Sequence, residues 1–134
     1  MKQVAFSLSL FFLLFGCNNN STVLEKQARN SADSIMENYG KKSTIANLPS
    51  KSFDTKSKEI LSYVNEICDW KSAKGGYKRD HRNLTPNGLE LAFVYEYFLD
   101  CDSLRFALVY NTKTEPYELI RIRVELVEEF SIYK

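Results

Sequence analysis

A chain of 134 residues has the length of one domain, and its 44% hydrophobic content is too high for a disordered segment. Eighteen basic against seventeen acidic residues leave a net charge of +1, which excludes a nucleic-acid binder built on a strongly basic surface. Three cysteines are too few to staple a small disulfide scaffold. The chain opens with Met1-Lys2 and then Val4 to Phe15, an apolar run broken only by Ser7 and Ser9. As a helix this run spans roughly 18 Å at ~1.5 Å per residue, short of the ~30 Å hydrocarbon core of a bilayer. It reads as the h-region of a signal peptide rather than a membrane span.

Leu14-Phe15-Gly16-Cys17 closes the run. These residues resemble the lipobox of bacterial lipoproteins, in which a leucine and a small residue precede an invariant cysteine. Leu14, Gly16 and Cys17 match, and Phe15 is bulkier than the residue usual there. The resemblance implies a diacylglyceryl group on the Cys17 sulfur, cleavage after Gly16, and acylation of the new amine, with palmitate a typical chain. The chemistry suits these residue types. A thiol can form a thioether, and a glycine before it lets the backbone into a peptidase cleft. Removal of residues 1–16 takes Lys2 away and leaves seventeen basic against seventeen acidic residues. The acyl chains would then hold the protein without polybasic help, at ~0.8 kcal/mol per buried CH₂.

Asn18 to Thr22 is polar and reads as a tether, reaching at most ~17 Å at ~3.4 Å per residue. The Gram-negative sorting rule that accompanies the lipobox keeps lipoproteins with Asp after the cysteine in the inner membrane. Asn18 in that position points to the outer membrane. The division expected is a signal peptide over 1–16, a lipidated Cys17 with a tether over 17–22, and one globular domain over 23–134.

Val23 to Tyr39 has helical periodicity. Leu24, Ala28, Ala32, Ile35 and Tyr39 gather on one face, with Glu25, Lys26, Arg29, Asp33 and Glu37 mostly elsewhere. Thr22 and Glu25 form a capping-box pattern, and Gly40 marks a stop. Lys41 to Ser52, with Pro49, reads as a loop. A second helix follows from Asp54 or Thr55 to Cys68, its apolar stripe made by Ile60, Leu61, Val64, Ile67 and Cys68. Asp54 or Thr55 is the expected cap.

After Asp69 the period falls to two. Trp70–Lys74 and Tyr77–Leu84 flank Gly75-Gly76, a two-residue hairpin signal. Thr85-Pro86-Asn87-Gly88 is a turn by composition. Leu89–Leu99 is the clearest strand. Leu89, Leu91, Phe93, Tyr95, Tyr97 and Leu99 share one face, and Glu90, Ala92, Val94, Glu96 and Phe98 the other. Leu104–Tyr110 and Tyr117–Val127 continue the pattern. In the last of these Ile120, Ile122, Val124 and Leu126 oppose Arg121, Arg123 and Glu125. Helices followed by consecutive strands argue for an α+β domain. The simplest arrangement is two N-terminal helices packed on the concave side of a curved antiparallel meander of four to five strands. This element order resembles nuclear transport factor 2-like, or cystatin-like, α+β rolls, which include small bacterial lipoproteins. The resemblance covers residues 23–134 and rests on order alone, so no functional residue is carried over from it.

Little else in the sequence points to chemistry. Cys68 and Cys101 could form a disulfide in an oxidising compartment or stay as two free thiols. His81, the sole histidine, sits beside Asp80, but adjacent strand residues face opposite ways, so Asp80 is badly placed to orient it. One histidine and two unspaced cysteines make no metal signature. Asp100, Asp102 and Ser103 lack the remaining positions of a calcium loop and read as turn chemistry. Lys71, Lys74, Lys78, Arg79 and Arg82 against Asp80 give a local charge of +4 over residues 71–82. This run fits a solvated hairpin, answered by Glu90, Glu96, Asp100 and Asp102, or a surface for lipid headgroups or an acidic partner. The aromatic face of Leu89–Tyr97 and Phe106–Tyr110 either fills a core or lines a ligand pocket. An enzyme would have to draw on His81, Tyr95, Tyr97 and Glu96, and alternation sets Glu96 apart from both tyrosines. The expectation is a lipid-anchored envelope protein with a non-catalytic interaction domain and no cofactor. A small-ligand binder is the alternative.

Overall fold

The computed structural model describes residues 19–42 and 52–127. The signal run, Gly16, Cys17, Asn18 and Pro49 lie outside the described residues, as does the side chain of Tyr39. The fold is α+β. Helices α1 (Asn19–Lys42) and α2 (Thr55–Ile67) and a 3-10 turn (Trp70–Ser72) precede strands β1 (Lys74–Thr85), β2 (Gly88–Phe98), β3 (Ser103–Asn111) and β4 (Glu118–Leu126). The strands form one antiparallel meander in chain order.

α1 begins at Asn19, not Val23, so Asn19–Thr22 is helical rather than an extended tether. Asparagine and serine are themselves favoured at helix starts, and the start has moved upstream to them. The helix also continues through Gly40. An interior glycine costs only about 1 kcal/mol relative to alanine, so it enforces no stop. Ala28, Ala32 and Met36, four residues apart, form the buried stripe, with Ile35 packed beside them.

α2 is capped by Asp54, whose carboxylate accepts from the Ser57 backbone N–H at 2.7 Å. That bond holds the Asp54 carboxyl below its usual pKa. Leu61 and Val64 are buried, whereas Ile67 is exposed, because the helix ends there and Cys68 turns away in extended conformation. Ser57 is buried, and its hydroxyl accepts the Val124 backbone N–H at 2.9 Å. Together with the Phe53–Ile122 bridge, this covers the outer edge of β4, a row of backbone groups that would otherwise be open to another strand.

The Gly75-Gly76 hairpin does not form. Both glycines lie inside β1, opposite Tyr97 and Glu96. Their φ values are +148° and +154°, and a side-chain carbon at Gly75 would run into the Glu96 carbonyl oxygen. Gly75 therefore serves close strand approach rather than a reversal, while Gly76 has open space around it and supplies only its positive φ. The residues before them make the 3-10 turn instead, capped by Asp69, which accepts from Lys71 N–H at 2.9 Å.

Leu91, Phe93 and Tyr95 of β2 join Leu104, Phe106, Leu108 and Tyr110 of β3 and Ile122 and Val124 of β4 beneath the two helices. Two register shifts alter the alternation. One, between Tyr77 and Arg79, makes Lys78 the extra residue of β1. The other sets Leu119, not Ile120, opposite Tyr110, so Ile120 is bulged out and exposed and does not share a face with Ile122.

Candidate interaction surface

The helix-facing side of the sheet is a packed aromatic layer. Phe93 meets Tyr110 edge-on at 5.6 Å between centroids, Tyr97 meets Phe106 at 5.8 Å, and Trp70 lies 6.3 Å from Phe106. Phe93 and Phe106 are fully buried, and Tyr95 and Tyr110 nearly so. The side chains that would line a pocket are thus in contact with α1, α2 and one another.

The polar tips of this layer are tied to α1. Tyr95 donates to Asp33 at 2.7 Å and Tyr110 to Ser31 at 3.4 Å. Arg29 pairs with Asp80 at 2.6 Å, Tyr77 donates to the same carboxylate, and Arg82 pairs with Glu25 at 2.7 Å. The Arg29 guanidinium also lies 4.7 Å from the Tyr77 ring and 5.3 Å from that of Phe93. Glu25, Arg29 and Asp33 recur every four residues, so they form a charged seam beside the buried stripe instead of a solvated face. Of the basic residues of β1, Arg82 is answered from this seam, by Glu25, and not by Glu90, Glu96, Asp100 or Asp102.

Burial, and after it the Asp33 charge, pushes the Tyr97 hydroxyl up to about 12, and Tyr95 is raised further by burial and its bond to Asp33. Tyr110 is raised as well, by burial. Tyr95 and Tyr110 are held as donors. A folded-state pKa above the unfolded value of ~10 means that their contribution to stability is complete below about pH 10 and is lost as pH rises beyond it. Alkaline titration should therefore give a cooperative rise in tyrosinate absorbance that coincides with loss of the far-ultraviolet dichroism. Smooth phenol titration with the dichroism intact would contradict the burial of these rings.

The opposite face is organised in rows with exposed margins and a buried middle, Ala92, Val94 and Val109 being 9%, 5% and 5% exposed. Arg79, Val94, Ala107 and Arg123 are register partners across the four strands, as are His81, Ala92, Val109 and Arg121. Strands are spaced ~4.8 Å apart, so Arg79 and Arg123 frame a small apolar floor roughly 14 Å wide. No acidic residue stands in either row. Acids sit in the flanking rows, where Glu96 accepts from Arg105 at 2.9 Å and Glu90 from Arg121 at 3.1 Å. Arg79, His81 and Arg123 are exposed and make no ion pair among the described residues. The buried Nε of Arg121 has no hydrogen-bond partner among them either. What this face offers a partner is the exposed cations at its margins, Arg79, His81 and Arg123, since the apolar middle is already buried.

The remaining candidates separate. His81 is on the opposite face and Asp80 on the helix face. Of the residues an enzyme would need, Tyr95 and Tyr97 lie under α1, while Glu96 is paired with Arg105 on the other side. Cys68 and Cys101 are joined, Cα atoms 5.5 Å apart, where the C-cap of α2 meets the β2–β3 turn. Asp100 lies beside them with its ligand atom within 4.8 Å of both sulfurs, but a bridged sulfur is not a thiolate and cannot complete a metal set. Asp100 instead accepts from the Asp69 N–H at 3.1 Å, and Asp102 from the Ser103 N–H at 2.8 Å. Compared with protein-family models, curated proteins and solved structures, the chain matches none.

Proposed function

We propose that this protein is a bacterial lipoprotein, cleaved after Gly16 and anchored through lipid on Cys17, whose α+β domain is a non-catalytic interaction module of the cell envelope. The finer architecture we take to be a nuclear transport factor 2-like roll, with the sheet curved around its two helices. Lipidation is supported by one feature above all: the Leu14-Phe15-Gly16-Cys17 junction directly follows an apolar run too short to span. Asn18 favours the outer membrane. Because α1 starts at Asn19, the acylated residue lies only two positions from the folded domain.

For the interaction role, the carrying observation is the pair of acid-free rows on the face opposite the helices, Arg79 to Arg123 and His81 to Arg121. The partner surface they fit is acidic. The ligand-binding alternative is weakened by the packing of the aromatic face, and the catalytic one by the separation of its ionisable groups.

Two experiments test the reading. Metabolic labelling with a fatty acid should mark the wild-type protein and not Cys17→Ala, which should leave the membrane fraction. Retention of label and membrane attachment by Cys17→Ala would end the lipoprotein assignment. A photo-crosslinking side chain placed at Ala107 should capture a partner in intact cells, and Arg79→Glu with Arg123→Glu should abolish the adduct. Adducts unchanged by that double reversal would remove this face from the role.

A further inference from the structure

α1 has a defined direction on the sheet. Glu25 meets Arg82, Arg29 meets Asp80, Asp33 meets Tyr95, and the helix also touches the Trp70–Ser72 turn. Its N-terminus therefore lies at the end of the sheet that carries the β1–β2 and β3–β4 turns. The β2–β3 turn, the disulfide and Trp70 occupy the other end. Cys17 precedes Asn19 by two residues and can lie no more than ~7 Å from it, at ~3.6 Å per residue.

The same end displays apolar side chains. Leu84 is 81% exposed, the highest value among the exposed large hydrophobics of the described residues. Its register partner Leu89 is 41% exposed, and Val23, in the opening turns of α1, is 52% exposed. Lys113, in the β3–β4 turn, lies with its side chain against Gly88 and adds a cation at this tip.

We infer that this tip, with Leu84 as its most exposed large apolar side chain, rests in the bilayer interface, so that the strands stand away from the membrane and the disulfide end points outward. The inference rests on the lipid anchor at Cys17 proposed above, since the anchor is what brings this end to the lipid. An acyl anchor by itself fixes distance and leaves orientation free. Leucine side chains seated in the headgroup–acyl boundary and a lysine beside the phosphates fix it. An orientation of this kind leaves the exposed margins of both acid-free rows accessible from the side.

The test uses full-length, acylated protein in phosphatidylethanolamine–phosphatidylglycerol vesicles whose acyl chains carry bromine as a quencher. Leu84→Trp is compared with Leu126→Trp, an exposed apolar position at the far end, and with native Trp70, the single tryptophan of the chain. Roughly half or more of the added Leu84→Trp emission should be quenched, because interfacial side chains sit about 5–10 Å into the boundary. Trp70 and Leu126→Trp should be unaffected. Mass spectrometry of Cys17 separates the two ways of failing. An acylated protein whose Leu84→Trp emission is unquenched, or quenched equally at Leu126→Trp, overturns the orientation alone. A Cys17 without acyl mass overturns the lipoprotein reading and the orientation with it.

Discussion

Phe106→Ala should lower the unfolding free energy by about 3–5 kcal/mol, the usual cost of emptying an aromatic site in a core. Phe106 is fully buried in the middle of β3. Its ring is boxed by Tyr97 and Trp70, and its strand neighbours across the sheet are Tyr95 and Val124. Trp70 is held from behind, since its indole N–H donates to Asn65 at 2.8 Å. Neighbours so constrained cannot collapse into the space, so the cavity term adds to the lost transfer energy. Phe98→Ala is the control. That ring is exposed on the face opposite the helices and meets the Lys78 ammonium at 5.9 Å, so its loss should cost less than about 1 kcal/mol. Urea unfolding of the two variants in a Cys17→Ser background, which carries no lipid, measures both. Equal losses would mean that the Phe98 ring is packed as tightly as that of Phe106, against its 46% exposure.

Much of this arrangement is legible in the sequence itself. The alternation through Leu91, Phe93 and Tyr95 names the buried side of β2, and Leu61 and Val64 name the buried side of α2. What escapes the sequence is whatever depends on register or on partners distant along the chain. Arg29 and Asp80 are 51 residues apart, Glu25 and Arg82 57, and Asp33 and Tyr95 62. Periodicity alone assigns the three α1 residues to solvent, because a polar residue beside a helical stripe looks the same whether it meets water or a strand. Gly75-Gly76 misleads for a related reason. Glycine permits both a tight reversal and a close strand approach, and only the position of Glu96 decides between them.

The face opposite the helices carried a signal that alternation could have exposed. Glu90 and Glu96 make the second side of β2 look solvated, yet Ala92, Val94 and Phe98 lie on that side with them. A face that is apolar at its middle and charged at its borders is unlike a simple wet surface. The cations at its margins belong to β1 and β4, so no window of sequence contains the site. Only pairing across β2 and β3 brings Arg79 and Arg123 into one row. The bulge at Lys78 is part of this, because without the extra residue Arg79 would face α1.

Loss of the Cys68–Cys101 bridge should cost about 3–4 kcal/mol, the chain-entropy value for a loop of the 33-residue separation observed. The two cysteines close a loop that contains the 3-10 turn, β1 and β2. Its ends are the C-cap of α2, where the Cys68 N–H bonds to the Val64 carbonyl at 2.9 Å, and the turn that returns as β3. In the unfolded chain the bridge removes conformations of that whole segment. In the folded chain it holds α2 over β4 while Ser57 caps the sheet edge. Cys68→Ser with Cys101→Ser, and separately dithiothreitol, should each lower the urea midpoint of the Cys17→Ser protein by the same amount. Reductant should add nothing to the double variant. Thiol titration of native, unreduced Cys17→Ser protein should find no reactive group. Two reactive thiols, or a midpoint indifferent to reductant, would show that the sulfurs are not joined and would return this corner to Asp100 and a pair of free thiols.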